Sequence, residues 1–291
     1  MKILIFGATG RVGQELCQTA HTLGYELIIP THGKCDLQHA ERVSDYVLEH
    51  PAELVVNCAA LARPETCLDD PLSAHRINAM APAAMALACR HTGARFIHLS
   101  TDYVLDGRRP GKKTEQDKCK PINVYGESKR EGELQVQEAY DDALILRISW
   151  VCGNPAKPSF IESTLARALA GEAISAIADK YSLPTHAQDV ARVVLELASR
   201  TESGILHLTS SGEPMSWHNC AVKVLEYAVQ LGALTHAPSV IPQKLSEATF
   251  YRDPRPVHTA MDNAALLSLG IAIPTAQQTI RAAVERYLSA L

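Results

Sequence analysis

The chain has 291 residues, of which 46% are hydrophobic and 21% charged, with a formal net charge of −4. That length can bury one large core or a core plus a smaller lobe, and the composition excludes a disordered chain. The charge balance offers no general attraction to nucleic acid or to an anionic membrane, although a local basic pocket could still hold a diphosphate.

The opening residues Met1 to Gly13 form a short apolar run that breaks into glycines and then into a helical pattern. This reads as strand, tight turn and helix, the frame of a dinucleotide site. Gly7 allows the sharp turn, Gly10 lets backbone approach a pyrophosphate, and Gly13 permits close packing of helix on strand. An anion then meets free N–H groups at the helix start. No presequence precedes this strand and the apolar run is too short to span a bilayer, so cytoplasm is the expected location.

Further strands are predicted at 27–29, 54–56, 96–99 and 144–148, separated by helices around 11–23, 39–49, 72–91 and 125–139. The alternation implies an α/β, Rossmann-type, doubly wound parallel sheet over residues 1–150. Beyond Trp150 prolines interrupt the pattern, and helices are expected near 159–171, 188–199, 216–230 and 275–290. Residues 151–291 should supply most of a smaller substrate-binding lobe, with some elements of 186–235 returning to the sheet.

After the second strand the chain reads Pro30-Thr31-His32-Gly33-Lys34-Cys35-Asp36-Leu37. A site selective for NAD places an acid on the ribose diol, whereas a basic side chain accommodates a 2′-phosphate. With no acid at the strand tip and with His32 and Lys34 close by, NADPH is the expected cofactor and NADH the alternative. Arg11 is a further candidate for neutralising phosphate, and Asp36-Leu37 reads as a helix start passing the adenine.

The run Ile97 to Val104 is an apolar strand ending in Ser100, Thr101 and Asp102, at the sheet edge where open α/β folds bind ligands. A hydroxyl there can hydrogen-bond a substrate carbonyl, and a carboxylic acid can assist proton delivery. Tyr125 and Lys129 follow at helical spacing and share one face. An ammonium beside a phenol favours the phenolate and shifts the tyrosine toward acid/base chemistry near neutral pH. Trp150 is expected at the mouth of the cleft, where few other aromatics are in view, as a platform for a sugar or base. The eight cysteines contain no Cys-x-x-Cys pair and no zinc-like grouping with histidine, and read as reduced thiols, most of them in the core.

Taken in order, the glycine loop, Asn57-Cys58-Ala59-Ala60, Ser100-Thr101-Asp102-Tyr103-Val104, Tyr125-x-x-x-Lys129 and Arg147-Ile148-Ser149-Trp150-Val151 resemble an extended short-chain dehydrogenase/reductase. More narrowly they resemble the dTDP-4-dehydrorhamnose reductase family, and the similarity continues through Asp179 to Thr185, Gly204 to Leu208 and Arg255-Pro256. The resemblance implies reduction of the 4-keto group of a nucleotide-linked 6-deoxyhexose in dTDP-L-rhamnose biosynthesis. It assigns catalysis to Thr101, Asp102, Tyr125 and Lys129. It assigns cofactor contacts to Gly7, Thr9, Gly10, Arg11, Val12, Gly13, His32, Lys34, Asp36, Leu37, Cys58, Ala59, Ala60, Ser100, Tyr125 and Lys129, and substrate contacts to Arg63, Trp150 and Arg255. A homodimer is compatible with it.

Two departures stand out. Where these reductases usually carry a Thr-x-Val-Asp run, this chain has Ala62-Arg63-Pro64-Glu65, similar instead to the regulatory β subunit of methionine adenosyltransferase. A non-catalytic NADP-binding subunit and a ketosugar reductase with another product are therefore the alternatives, although Thr101 and Trp150 match the reductases. Some of these reductases hold a magnesium ion with glutamates at a dimer interface. Glu15 matches one position but Gln188 occupies another, and an amide is a poorer ligand for a hard cation, so no metal is expected.

Overall fold

The computed structural model describes every residue from Met1 to Leu291. Six strands form the central sheet: β1 (Lys2–Phe6), β2 (Glu26–Ile28), β3 (Leu54–Asn57), β4 (Arg95–Thr101), β5 (Leu144–Ile148) and β6 (Gly204–Leu208). Their spatial order is β6-β5-β4-β3-β1-β2, and all neighbours run parallel. The chain goes outward from β1 to β2 and then crosses back to β3, so the order reverses between β1 and β3. Ligands bind at such a reversal, outside the carboxyl ends of the strands.

The central strands are apolar on both faces because both faces are covered. Alternate residues point to opposite sides. Ile3, Ile5, Leu54, Val56, Ile97 and Leu146 pack with Leu16, Val190 and Val194 of helices Arg11–Thr22 and Ala187–Leu197. Leu4, Phe6, Val55, Phe96 and Ile145 pack with Val43, Met85 and Val136 of helices Ala40–Glu49, Ala81–Thr92 and Val124–Ala139.

The second half divides between layers. Helix Ala187–Leu197 and strand β6 join the sheet, whereas helix Trp217–Gln230 packs with Phe160–Leu169 and Ala276–Leu288 around Ile161, Leu165, Val224, Ile280 and Val284. The return to the sheet therefore ends before Trp217, short of the span 186–235 read from the sequence.

The single helix expected over 72–91 is three segments: Pro71–His75, a wide π turn at Arg76–Met80, and Ala81–Thr92. Pro82 has no N–H to give the carbonyl of Asn78 four residues earlier, and the turn widens around that lost bond. Asp36 does not start a helix; its Oδ1 accepts the Gln38 N–H at 3.0 Å in a local turn, and the helix begins at Ala40. All eight cysteines are free thiols, five of them buried.

Candidate active site

Two cavities meet at the carboxyl end of the sheet. One, of about 360 Å³, is lined by Gly7, Ala8, Thr9, Ile29, Pro30, Thr31, His32, Cys35, Asp36, Leu37, Ala59, Ala60 and Ile77. The other, of about 400 Å³, is lined by Gly10, Arg11, Val12, Cys58, Ala60, Leu99, Ser100, Thr101, Asp102, Tyr103, Tyr125, Lys129 and Trp150, among others. The glycine loop divides them and Ala60 borders both.

The loop itself leaves no room for side chains. Gly7 sits at φ 77°, and a Cβ there would lie 2.5 Å from the Ala59 nitrogen. A Cβ on Gly13 would collide with the Gly7 carbonyl. These contacts bring helix Arg11–Thr22 down on β1 with its first N–H groups facing the cleft, which suits a dinucleotide diphosphate.

On the opposite side, helix Val124–Ala139, which carries Tyr125 and Lys129, is fixed at three points. Asn123 caps it, its Oδ1 accepting the Gly126 N–H at 2.8 Å while its amide donates to Pro254 O at 2.8 Å. Farther along, buried Glu133 accepts Ser100 Oγ at 2.6 Å, Arg147 Nε and Nη2 at 2.8 Å each, and Arg130 at 2.8 Å. Burial pushes the Glu133 carboxyl up, but the Arg147 hydrogen bond and charge outweigh it and leave the group below its ordinary value. Between these, the Asn78 amide donates to Ser128 Oγ at 2.9 Å and exchanges two bonds with Leu61, tying the 61–63 loop to the helix.

This framework sets Tyr125 and Thr101 on the lining of one cavity, with the Tyr103 ring edge-on to Tyr125 at 5.6 Å. Desolvation raises the phenol, and the nearby Thr101 hydroxyl only partly opposes it. The expected lowering by Lys129 is corrected here, since its ammonium turns instead to Leu99 O at 2.7 Å and to His98 Nε2 at 3.1 Å. Tyr125 is thus a neutral phenol, the form that donates a proton. Asp102 is buried and raised by that burial, against the charge of Lys180 and a bond from Thr101 Oγ1 at 3.2 Å. Lys180 is itself buried between the Tyr103 and Trp217 rings, donates to Pro256 O at 2.7 Å, and falls to about 8 through desolvation.

A model of the RmlD substrate binding domain matches residues 1–289. The chain belongs to this family. SpsK, a spore coat polysaccharide biosynthesis protein of Bacillus subtilis, is 31% identical over 270 residues, covering 93% of this chain and 92% of its own. The dTDP-4-dehydrorhamnose reductase of Burkholderia thailandensis is 32% identical over 300 residues, covering 99% and 100%. The solved structure of the Bacillus anthracis dTDP-4-dehydrorhamnose reductase in complex with NADP superposes with a TM-score of 0.89 at 26% identity, covering 100% of this chain and 99% of that one.

Within this RmlD framework several predicted residues are placed otherwise than the sequence implied. The Ser100 hydroxyl is committed to Glu133. The Arg11 guanidinium donates to Lys157 O at 2.8 Å and Pro158 O at 2.9 Å, and Arg11 does not line the cavity beside His32. His32 lines that cavity and Lys34 does not. Arg63 is exposed, flanking the cleft through Ala62 and Pro64. Arg255 is claimed by the departure residue Glu65, in a bidentate pair at 2.7 Å, and stacks on Tyr251.

Trp150 lines the cleft but has company, stacking on Trp217 at 5.5 Å and tilting against Phe160 at 5.6 Å. Its φ of 42° is the one positive value outside glycine, a strain of about 1–3 kcal/mol retained by that aromatic packing. Residues not foreseen are Ile77 beside the adenosine-shaped cavity, and Asn78, His98, Glu133 and Lys180 behind the catalytic wall. The signals available were Pro82 inside an apolar helix and a lone histidine in the strand Ile97-His98-Leu99.

The family's magnesium site does not fit these side chains. Glu15 Oε1 pairs with Arg286 at 2.8 Å. The guanidinium supplies the counter-charge that a cation would bring. No helix is long and apolar enough to cross a membrane.

Proposed function

We propose that this chain reduces the 4-keto group of a nucleotide-linked 6-deoxyhexose with NADPH, as its dTDP-4-dehydrorhamnose reductase relatives are named for doing. The observation that carries the reading is the half-buried Tyr125 phenol, which lines one cavity together with Thr101, Asp102 and Lys129, next to a second cavity at the glycine loop. The glycine loop, Ala59 and Ala60 would hold the dinucleotide, with His32 near its 2′-phosphate. When bound, NADPH supplies the hydride.

The protein's own part is to present the proton. Tyr125 Oη donates it to the ketone oxygen, and Thr101 Oγ1, on the lining of the same cavity, can bond that oxygen. Lys129 also lines the cavity, and its ammonium would reach the cofactor ribose. Trp150, braced by Trp217, offers a flat apolar face for the sugar or the base.

The Glu65–Arg255 pair favours a variation in substrate, because it occupies a guanidinium that would otherwise be free for an anionic nucleotide. Following NADPH consumption with dTDP-4-keto-6-deoxy-L-lyxo-hexose and a panel of other nucleotide-linked ketosugars tests the reading. No turnover with any of them, together with a stable complex with another enzyme, would point to the regulatory-subunit alternative.

A further inference from the structure

Lys129 is almost completely buried, and its ammonium has three hydrogens to place. One goes to Leu99 O at 2.7 Å. In a second direction stands His98 Nε2 at 3.1 Å. The histidine is fully buried, and its other nitrogen, Nδ1, lies 3.1 Å from Asn57 Nδ2. The orientation of the Asn57 amide is set from behind, because its Oδ1 accepts the Ala59 N–H at 2.9 Å. The NH2 group therefore faces the ring, and it can only donate.

The imidazole tautomer follows. Nδ1 must accept from Asn57, so the ring carries its one proton on Nε2, aimed at Lys129. An ammonium has no lone pair for that proton, whereas a neutral amine does. We propose that Asn57 and His98 form a positioning pair that sets the proton affinity of Lys129 through the imidazole tautomer, loosening the ammonium in the resting protein. This rests on the proposed reductase reading for its catalytic meaning.

Other groups face Lys129 from the packed elements. Glu133, one turn along the same helix, raises the ammonium by its charge, although its oxygens are bonded to Arg147, Arg130 and Ser100. Cys58, at the end of β3, is a protonated thiol pushed up to about 12, first by burial. Tyr125 is a neutral phenol, and Asp102 at the end of β4 faces Lys180. Burial holds the imidazole well below its ordinary range, so it is neutral with a single proton to place. Desolvation likewise brings Lys129 down to about 8.

The test is Asn57→Asp. A carboxylate accepts the proton of Nδ1, turns Nε2 into an acceptor and welcomes the ammonium. With saturating NADPH and ketosugar, the alkaline limb of kcat should move up by about one pH unit, a roughly tenfold tighter hold on the proton. A limb that stays in place or moves down overturns the proposal. A second measurement uses the unaltered full-length protein without substrate: ¹⁵N shifts of His98, assigned through the chain, should report Nε2–H at about pH 7 and about pH 9. Nδ1–H at either pH overturns it. Because this readout needs no turnover, a chain that reduces no ketosugar would lose the reductase reading while the tautomer is decided independently.

Discussion

The two walls of the cleft are secured in different ways. Behind helix Val124–Ala139, Glu133, Arg147, Asn78 and His98 are each nearly inaccessible to solvent and bonded to one another's elements, so Tyr125 and Lys129 sit on packed structure. A second wall includes the short helix Pro64–Asp69, whose Glu65 and Asp69, one turn apart, grip Arg255 and Arg252. Three of those four side chains are between 28% and 58% exposed, and only Arg255, at 5%, is buried. The residues expected to carry the chemistry stand on packed elements, whereas the wall around helix Pro64–Asp69 is strapped down by partly exposed ion pairs.

The comparison is broken most severely at the rigid wall. Tyr125→Phe should lower kcat by roughly 10²–10⁴-fold, since only the proton donor is removed, while NADPH affinity stays close to that of the parent protein. Single-turnover kinetics and a cofactor titration on the same sample check both halves. Turnover near the parent rate would remove Tyr125 from the chemistry.

At the strapped wall the effect is smaller and of another kind. Glu65→Gln keeps the shape but leaves the Arg255 guanidinium buried beside Asp253 O without its carboxylate. Breaking a wholly buried pair costs about 3–5 kcal/mol, and the partial exposure of Glu65 reduces this to about 1–3 kcal/mol. The KM for the sugar nucleotide should change severalfold with NADPH binding unaltered. Burial raises Glu65, but Arg255 more than offsets it and leaves the carboxyl below its ordinary value. Its folded pKa is therefore depressed, so its contribution is present above the unfolded value of about 4.3 and disappears as pH falls through the folded one. Denaturant melts should show that acid-side loss in the parent and not in the variant. Equal pH dependence in both would mean that the pair holds nothing.

The same contrast explains what could be read in the chain. The glycine loop, the β4 tip and the Tyr125–Lys129 spacing are local patterns, and each lies at the cleft because strand ends and helix starts at a sheet reversal converge there. The π turn at Asn78 depends on how the helix absorbs the bond that Pro82 cannot make, which the apolar spacing does not give, and the Asn57–His98–Lys129 chain joins residues up to 72 positions apart in sequence through two strands and a helix. Arg255 looked free because its partner, Glu65, is 190 residues away. Lys180 read as part of a family motif rather than as a buried cation behind Asp102.

The smallest effect sharpens the cofactor side, where the binding surface is also exposed. His32 borders the adenosine-shaped cavity with a side chain 84% exposed, whereas Lys34 lies outside the lining. Contacts between exposed charges are worth about 0.2–1 kcal/mol, so removing one that touches only a 2′-phosphate shifts a ratio about 1.4- to fivefold. His32→Ala should lower the NADPH/NADH ratio of kcat/KM by that amount, and Lys34→Ala by less, with NADH turnover unchanged in both because NADH brings no phosphate to lose. A larger effect from Lys34 would mean that the 31–37 turn closes over the cofactor. An unchanged ratio in both variants would place phosphate recognition elsewhere, and Arg11 is a poor substitute. Its guanidinium is already held by Lys157 O and Pro158 O, and it borders the catalytic cavity rather than the adenosine-shaped one.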